Sequence, residues 1–305
     1  MSKTIDVLKQ VYKPLRVTLK GKTTILETTS GKFLVKEKRK DLHDIFNYLK
    51  GRNFEAFPSL IDDTRTDLNV FEYIDEYPMP KEQKGLDIID LAAALHSKTT
   101  YYKPVSEDKY KQIYEDIVNN VKYLQTKYQN LFLTIESKVY MSPSEYLLIR
   151  NSSKIMASLD FALKEANGWY TQAKEKNKER VALVHNNLST DHYLKRDKSY
   201  LISWERAKVD TPVLDLVTFY KNEYFNLDFE TILERYLRKN PLNEEEKKLF
   251  FILISIIDEV TLDNTCEFNS CKKVREVLDY LYVTEELIRP YYTIQEEKKE
   301  GNFDK

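Results

Sequence analysis

The chain has 305 residues and a mass of 36.2 kDa, and 42% of its residues are hydrophobic, enough to core one large domain or two lobes. Its 48 lysines and arginines nearly cancel 49 aspartates and glutamates, so a net charge of −1 offers no general field to nucleic acid or to an anionic membrane, and neither is an expected partner. Only 6 glycines occur, and no two are spaced as a dinucleotide-binding G-x-G-x-x-G or a Walker G-x-x-x-x-G-K-[ST] loop.

In chain order, residues 5–12 carry the spacing of a short first helix, and the first ten residues contain no apolar signal-like segment. Residues 15–37 are rich in Val, Thr, Ile and Phe and are broken at Gly21-Lys22 and at Thr29-Ser30-Gly31, which predicts three strands in a meander. Leu42, Ile45, Phe46 and Leu49 follow at helical spacing, and Phe57-Pro58 ends that unit. Residues 59–74 read as a strand, a polar turn and a second strand from Leu68. Tyr77-Pro78-Met79-Pro80 then marks a change to long amphipathic helices.

Tyr110, Ile113, Tyr114, Ile117, Val121, Leu124 and Tyr128 keep a helical stripe over 107–128. Ser142-Pro143-Ser144-Glu145 is a capping box with proline at the first helical position, predicting a helix that reaches about residue 170. Val181-Ala182-Leu183-Val184 predicts a buried strand, residues 199–203 a second, and helices over 229–239, 244–260 and 272–288 precede a polar, frayed tail. Most of the 22 tyrosines fit packing stripes, as Tyr110 and Tyr114 do. Cys266 and Cys271 lack the further ligands of a zinc knuckle, and the longest strongly apolar run, 249–257, is far shorter than the roughly 20 residues of a membrane span. The expectation is a soluble, cytoplasmic protein with reduced thiols.

The densest information lies in residues 183–216. There Leu183-Val184-His185-Asn186-Asn187-Leu188 leads to Asp191-His192-Tyr193-Leu194, then to Ile202-Ser203-Trp204-Glu205, and then to Pro212-Val213-Leu214-Asp215-Leu216. This arrangement resembles the aminoglycoside phosphotransferase and choline kinase family, whose fold is similar to that of protein kinases and whose pattern is approximately H-G-D-L-H-x-x-N, then [IV]-D-[WF]-E, then G-D-P-x-x-D-L. The resemblance implies an α+β, two-lobed protein-kinase-like fold. A small antiparallel-sheet N-lobe would occupy 1–76 with a hinge near 71–76, a mainly helical C-lobe 77–294, and the polar tail 295–305.

Carried over residue by residue, the family's catalytic aspartate falls on Asn187, its metal-binding asparagine on His192 and its metal-binding aspartate on Ser203. All three are substituted, so no catalytic set is intact. An amide has no basic site at neutral pH, and losing a general base typically costs about 10² to 10⁴ in rate. The resemblance makes His185 and Asp215 structural members of the loop, and it replaces a family glycine by Asn186. It makes Lys36 the phosphate-holding lysine, and it places Glu72 and Ile74 in the hinge that receives an adenine ring. The glutamate that pairs with that lysine is missing, leaving Asp41 or Asp44 as substitutes. ATP is the candidate cofactor, while Mg²⁺ is not expected and no metal site is assigned, since His185 and His192 with Asp191 and Glu205 read better as structure than as ligands.

The implied function is that of a pseudokinase, acting by binding a protein partner and with room for a nucleotide or small molecule between its lobes. The alternative is an active, atypical ATP-dependent small-molecule kinase in which Asp191 or Glu205 supplies the missing carboxylate. Degenerate relatives of the family include kinase-like proteins of bacterial spore coats, which this Lys-, Tyr- and Asn-rich chain resembles in composition; a spore-coat role is the corresponding expectation.

Overall fold

Strand-forming residues and tight turns build the first third of the chain. A computed structural model describes residues 12–21, 23–62, 67–263 and 265–300. The helix expected at 5–12 lies, apart from Tyr12, outside them. Strands β1 (Arg16–Lys20), β2 (Thr23–Thr28) and β3 (Gly31–Glu37) form the meander, with Gly21 taking φ +60° in the first turn. Helix α1 (His43–Lys50) and strands β4 (Leu60–Asp62) and β5 (Leu68–Glu72) complete a sheet of order β1-β2-β3-β5-β4, antiparallel throughout.

The two-residue period of the strands divides the sheet into faces. Leu26, Val35, Leu68 and Val70 make a small cluster on one side. Leu34 and Phe71, paired across β3 and β5, face the main core on the other. Lys36, two residues beyond Leu34, shares that second side.

The remainder is mainly helical: α2 (Lys81–Thr99), α3 (Glu107–Glu136), α4 (Pro143–Arg150), α5 (Ser152–Ala173), α6 (Val213–Glu223), α7 (Phe229–Lys239), α8 (Glu244–Ser255) and α9 (Glu267–Glu300). Between them run β6 (Tyr101–Pro104), β7 (Lys178–Val184) and β10 (Lys208–Asp210), which form a second small antiparallel sheet, and the hairpin of β8 (Tyr193–Lys195) with β9 (Ser199–Leu201). No helix among the described residues is long and apolar enough to cross a membrane.

Four of the expected helices differ from the observed ones by more than a residue or two. The helix predicted from Ser142 is two helices, because Asn151 turns its side chain back onto the Leu147 carbonyl at 2.9 Å and leaves the helical path at φ −110°, ψ 11°. The α3 stripe continues through Phe132 and Ile135, both buried, so the helix runs on to Glu136. The α8 helix stops at Ser255; Ile256, Ile257 and Val260 are buried in irregular backbone, which an apolar run alone does not distinguish from helix. Finally, α9 starts at Glu267 and reaches Glu300, through part of the stretch expected to be a frayed tail. The Ser142 and Asn243 capping boxes and the Asp228 cap all form. Gly85 in α2 also has a packing reason, since a Cβ there would lie 2.8 Å from a Leu227 methyl.

Candidate functional site

At the end of β7 the chain turns away from the sheet at His185, and α6 fixes where it goes. The buried Asp215 carboxylate accepts the His185 amide at 2.8 Å and also the Asn186 amide. It further accepts Nε2–H of His96 at 2.9 Å; Nδ1 of that ring takes the Tyr236 hydroxyl at 2.8 Å, and Tyr236 in turn accepts from Asn240 at 2.6 Å. Two helical turns beyond, Asn222 donates to the Leu188 carbonyl at 2.8 Å, while the buried Glu223 accepts from the Thr190 amide at 2.7 Å and from the Ser189 and Thr190 hydroxyls. Asp215, Asn222 and Glu223 lie at helical spacing among Leu216, Phe219 and Tyr220, all buried or tied. That interruption of an apolar face was the available sequence signal for Asn222 and Glu223, which motif reading passed over.

Two residues of the loop hold left-handed backbone, Asn186 at φ 55° and Ser203 at φ 68°. Asparagine is the side chain best suited to replace glycine there, so Asn186 keeps the turn. Serine has no such preference, and a non-glycine residue in that region costs on the order of 1 kcal/mol or more. The cost is offset by neighbours: the Leu201 amide donates to Ala56 at 2.8 Å, the Ile202 amide to His192 at 2.9 Å, and Trp204 Nε1 to Leu201 at 2.7 Å.

His185 is wholly buried against the Trp204 ring, with centroids 4.6 Å apart, and Nε2–H donates to the Ile202 carbonyl at 2.9 Å. Among the described residues its Nδ1 has no hydrogen-bond partner. Burial drives its pKa down from the ordinary 6.5 to about 4. The unfolded chain therefore takes up this proton at higher pH than the native one, and the associated stability, complete above pH 6.5, is lost as the pH falls toward 4. Chemical unfolding at pH 7 and pH 5 is expected to differ by about 2 kcal/mol from this group. His185→Gln, which retains a donor for the Ile202 carbonyl, should lose that dependence; an unchanged pH slope would assign it to other groups.

Lys36 meets the loop across the chain. Its ammonium donates to Ser203 Oγ at 3.1 Å and pairs with Glu205 Oε1 at 3.4 Å, both partly buried. Neither expected substitute, Asp41 just before α1 nor Asp44 within it, is among these partners; Asp41 pairs instead with Lys38 at 3.1 Å and accepts the His43 amide at 3.0 Å. These three side chains stand in a cleft of about 590 Å³ between the sheet and the loop, where Glu72, Ile74 and Asp191 also line the wall. Glu72 is engaged by the Ser59 amide at 2.9 Å. Asn187 and His192 do not line the cleft; they are joined by His192 Nδ1–H on the Asn187 carbonyl at 2.7 Å, with the Asn187 amide 3.4 Å from the Ser203 carbonyl.

Magnesium does not fit this donor set. Mg²⁺ asks for hard, preferably charged oxygen ligands in octahedral geometry, whereas the two matching positions offer the imidazole of His192 and the hydroxyl of Ser203. The hydroxyl already accepts from the Lys36 ammonium, and Glu205 is paired with the same cation. Among the described residues no three His, Cys, Asp or Glu side chains gather as a metal site.

No protein-family model matches the chain, and no curated protein sequence does. Solved structures do. An aminoglycoside phosphotransferase from Alicyclobacillus acidocaldarius superposes with a TM-score of 0.66 at 10% identity, covering 91% of this chain and 92% of its own. Spectinomycin phosphotransferase matches in its AMP-bound complex with a TM-score of 0.58 at 13% identity, over 93% of this chain and 97% of that one. The same enzyme with ADP and spectinomycin gives 0.55 at 12% identity, over 94% and 98%. The chain therefore has the kinase-like fold of aminoglycoside phosphotransferases, with a small antiparallel sheet preceding a mainly helical remainder.

Proposed function

We propose that this is a phosphotransferase-fold protein without phosphoryl transfer, a pseudokinase that works by binding, and that its cleft between sheet and loop receives a nucleotide. The observation that carries this reading is the Lys36–Ser203–Glu205 cluster. Transfer of a phosphoryl group depends on positioning and on charge neutralisation at the phosphates, with a carboxylate to orient the acceptor. Here the carboxylate positions are an amide at Asn187 and a hydroxyl at Ser203, and the one carboxylate near Lys36 is consumed in an ion pair. The nucleotide part of the proposal is supported by the AMP and ADP held by spectinomycin phosphotransferase in the same fold, and by the apolar walls around Phe71 and Ile74.

Purified protein incubated with ATP, Mg²⁺ and a panel of aminoglycosides and amino alcohols is expected to release or transfer no phosphate above the uncatalysed rate. Asp191, which lines the cleft and is exposed, is the one carboxylate left to act as a base. Turnover that Asp191→Asn abolishes would overturn the proposal in favour of an active, atypical kinase.

A further inference from the structure

The charges of the cleft restrict the nucleotide further. Among the described residues that line it, the lysines are Lys20, Lys36 and Lys84. Against them stand the carboxylates of Glu72, Glu76, Asp191 and Glu205. Two of the ammoniums are committed, Lys84 to Glu76 and Lys36 to Glu205 with Ser203. The wall is thus slightly acidic, and no metal-binding donor set compensates.

A polyphosphate normally enters such a cleft as its magnesium complex, in which the ion cancels much of its charge. Without that ion each added phosphate brings further negative charge toward Glu205 and Asp191, in a partly desolvated site where like charges repel more than in water. Apolar side chains of the same lining suit an uncharged ring: Ile25 and Leu34 from the sheet, Leu194 from β8 and Ile202 from the loop. A purine or similar flat heterocycle carries no net charge, so its burial there avoids the cost of desolvating an ion.

We propose that the cleft takes a nucleoside or nucleoside monophosphate, without divalent metal, in preference to ATP. This rests on the nucleotide reading above and adds the ligand's charge class. In it, Lys36 supplies a single positive charge that Glu205 already balances, so it can be shared with no more than one phosphate group.

The test is a calorimetric titration series on the whole chain with adenosine, AMP, ADP and ATP, each with Mg²⁺ and with EDTA. The expected result is that adenosine or AMP binds, that EDTA leaves its affinity unchanged, and that ATP binds about tenfold or more weakly. Glu205→Gln, which frees the Lys36 ammonium, should strengthen ATP binding more than AMP binding, a change of rank that a purely structural role for Glu205 would not produce. Tightest binding by ATP with Mg²⁺ would overturn the charge inference and leave a nucleotide site standing. Absence of binding by all four compounds in both conditions would overturn the nucleotide reading itself, and this inference with it.

Discussion

Replacing Asp215 by alanine is expected to destabilise the protein by about 3–5 kcal/mol, because each buried donor left unsatisfied costs about 1–3 kcal/mol. Three donors are orphaned at once: the His185 and Asn186 amides and Nε2–H of His96. The carboxylate is completely buried, so water does not replace it. Asp215→Asn keeps the size and one acceptor oxygen but turns an NH₂ toward one of those donors, and its loss should be about half as large. Urea unfolding measures both, and an alanine variant within 1 kcal/mol of wild type would show that the loop is held by Asn222 and Glu223 alone.

The second large effect is expected at Trp204, where alanine should cost about 3–5 kcal/mol, the usual range for emptying a buried tryptophan site. The side chain is 1% exposed and meets Phe46, Phe54 and Phe57 edge to face, with centroids 6.1 to 6.2 Å away. Its indole N–H also satisfies the Leu201 carbonyl. Trp204→Phe keeps much of the contact and loses the hydrogen bond, so a cost nearer 1–2 kcal/mol is expected. Equal losses in the two variants would mean that the hydrogen bond, not the aromatic cluster, is what matters at this position.

Local chemistry made parts of this molecule legible. The helix over 229–239 could be bounded from the Asn240-Pro241 stop, and Asp228 caps its other end through the Glu230 and Thr231 amides. The meander was readable because its breaks fall on turn residues and its strands on β-branched ones. The division at Asn151 was not, since an asparagine within a helical pattern bonds its own backbone or not according to its surroundings. In the cleft, Lys36 could be singled out by its register after Val35, yet its partner could not. Glu205 lies 169 positions away, and only the folded chain brings that carboxylate, rather than Asp41 or Asp44, to the ammonium. The brace from α6 was legible only in part: Glu223 interrupts an apolar face, but its partner Thr190, 33 positions away, is fixed only by the folded chain.

The packing of Phe46, Phe54 and Phe57 on Trp204 also sets a timetable for a nascent chain. These phenylalanines leave the ribosome early, but the indole that covers them, and the Leu201 amide that binds Ala56, are made roughly 150 residues later. At synthesis rates of about 5–20 residues per second that interval is roughly 7–30 s, long compared with the microseconds in which a hairpin forms. The sheet strands can pair during that wait, but the phenylalanines of α1 and of the segment after it stay uncovered until the second half of the chain arrives. During synthesis, then, the segment around Phe46, Phe54 and Phe57 presents a sticky surface for roughly 7–30 s, and holding chaperones would find their opportunity there.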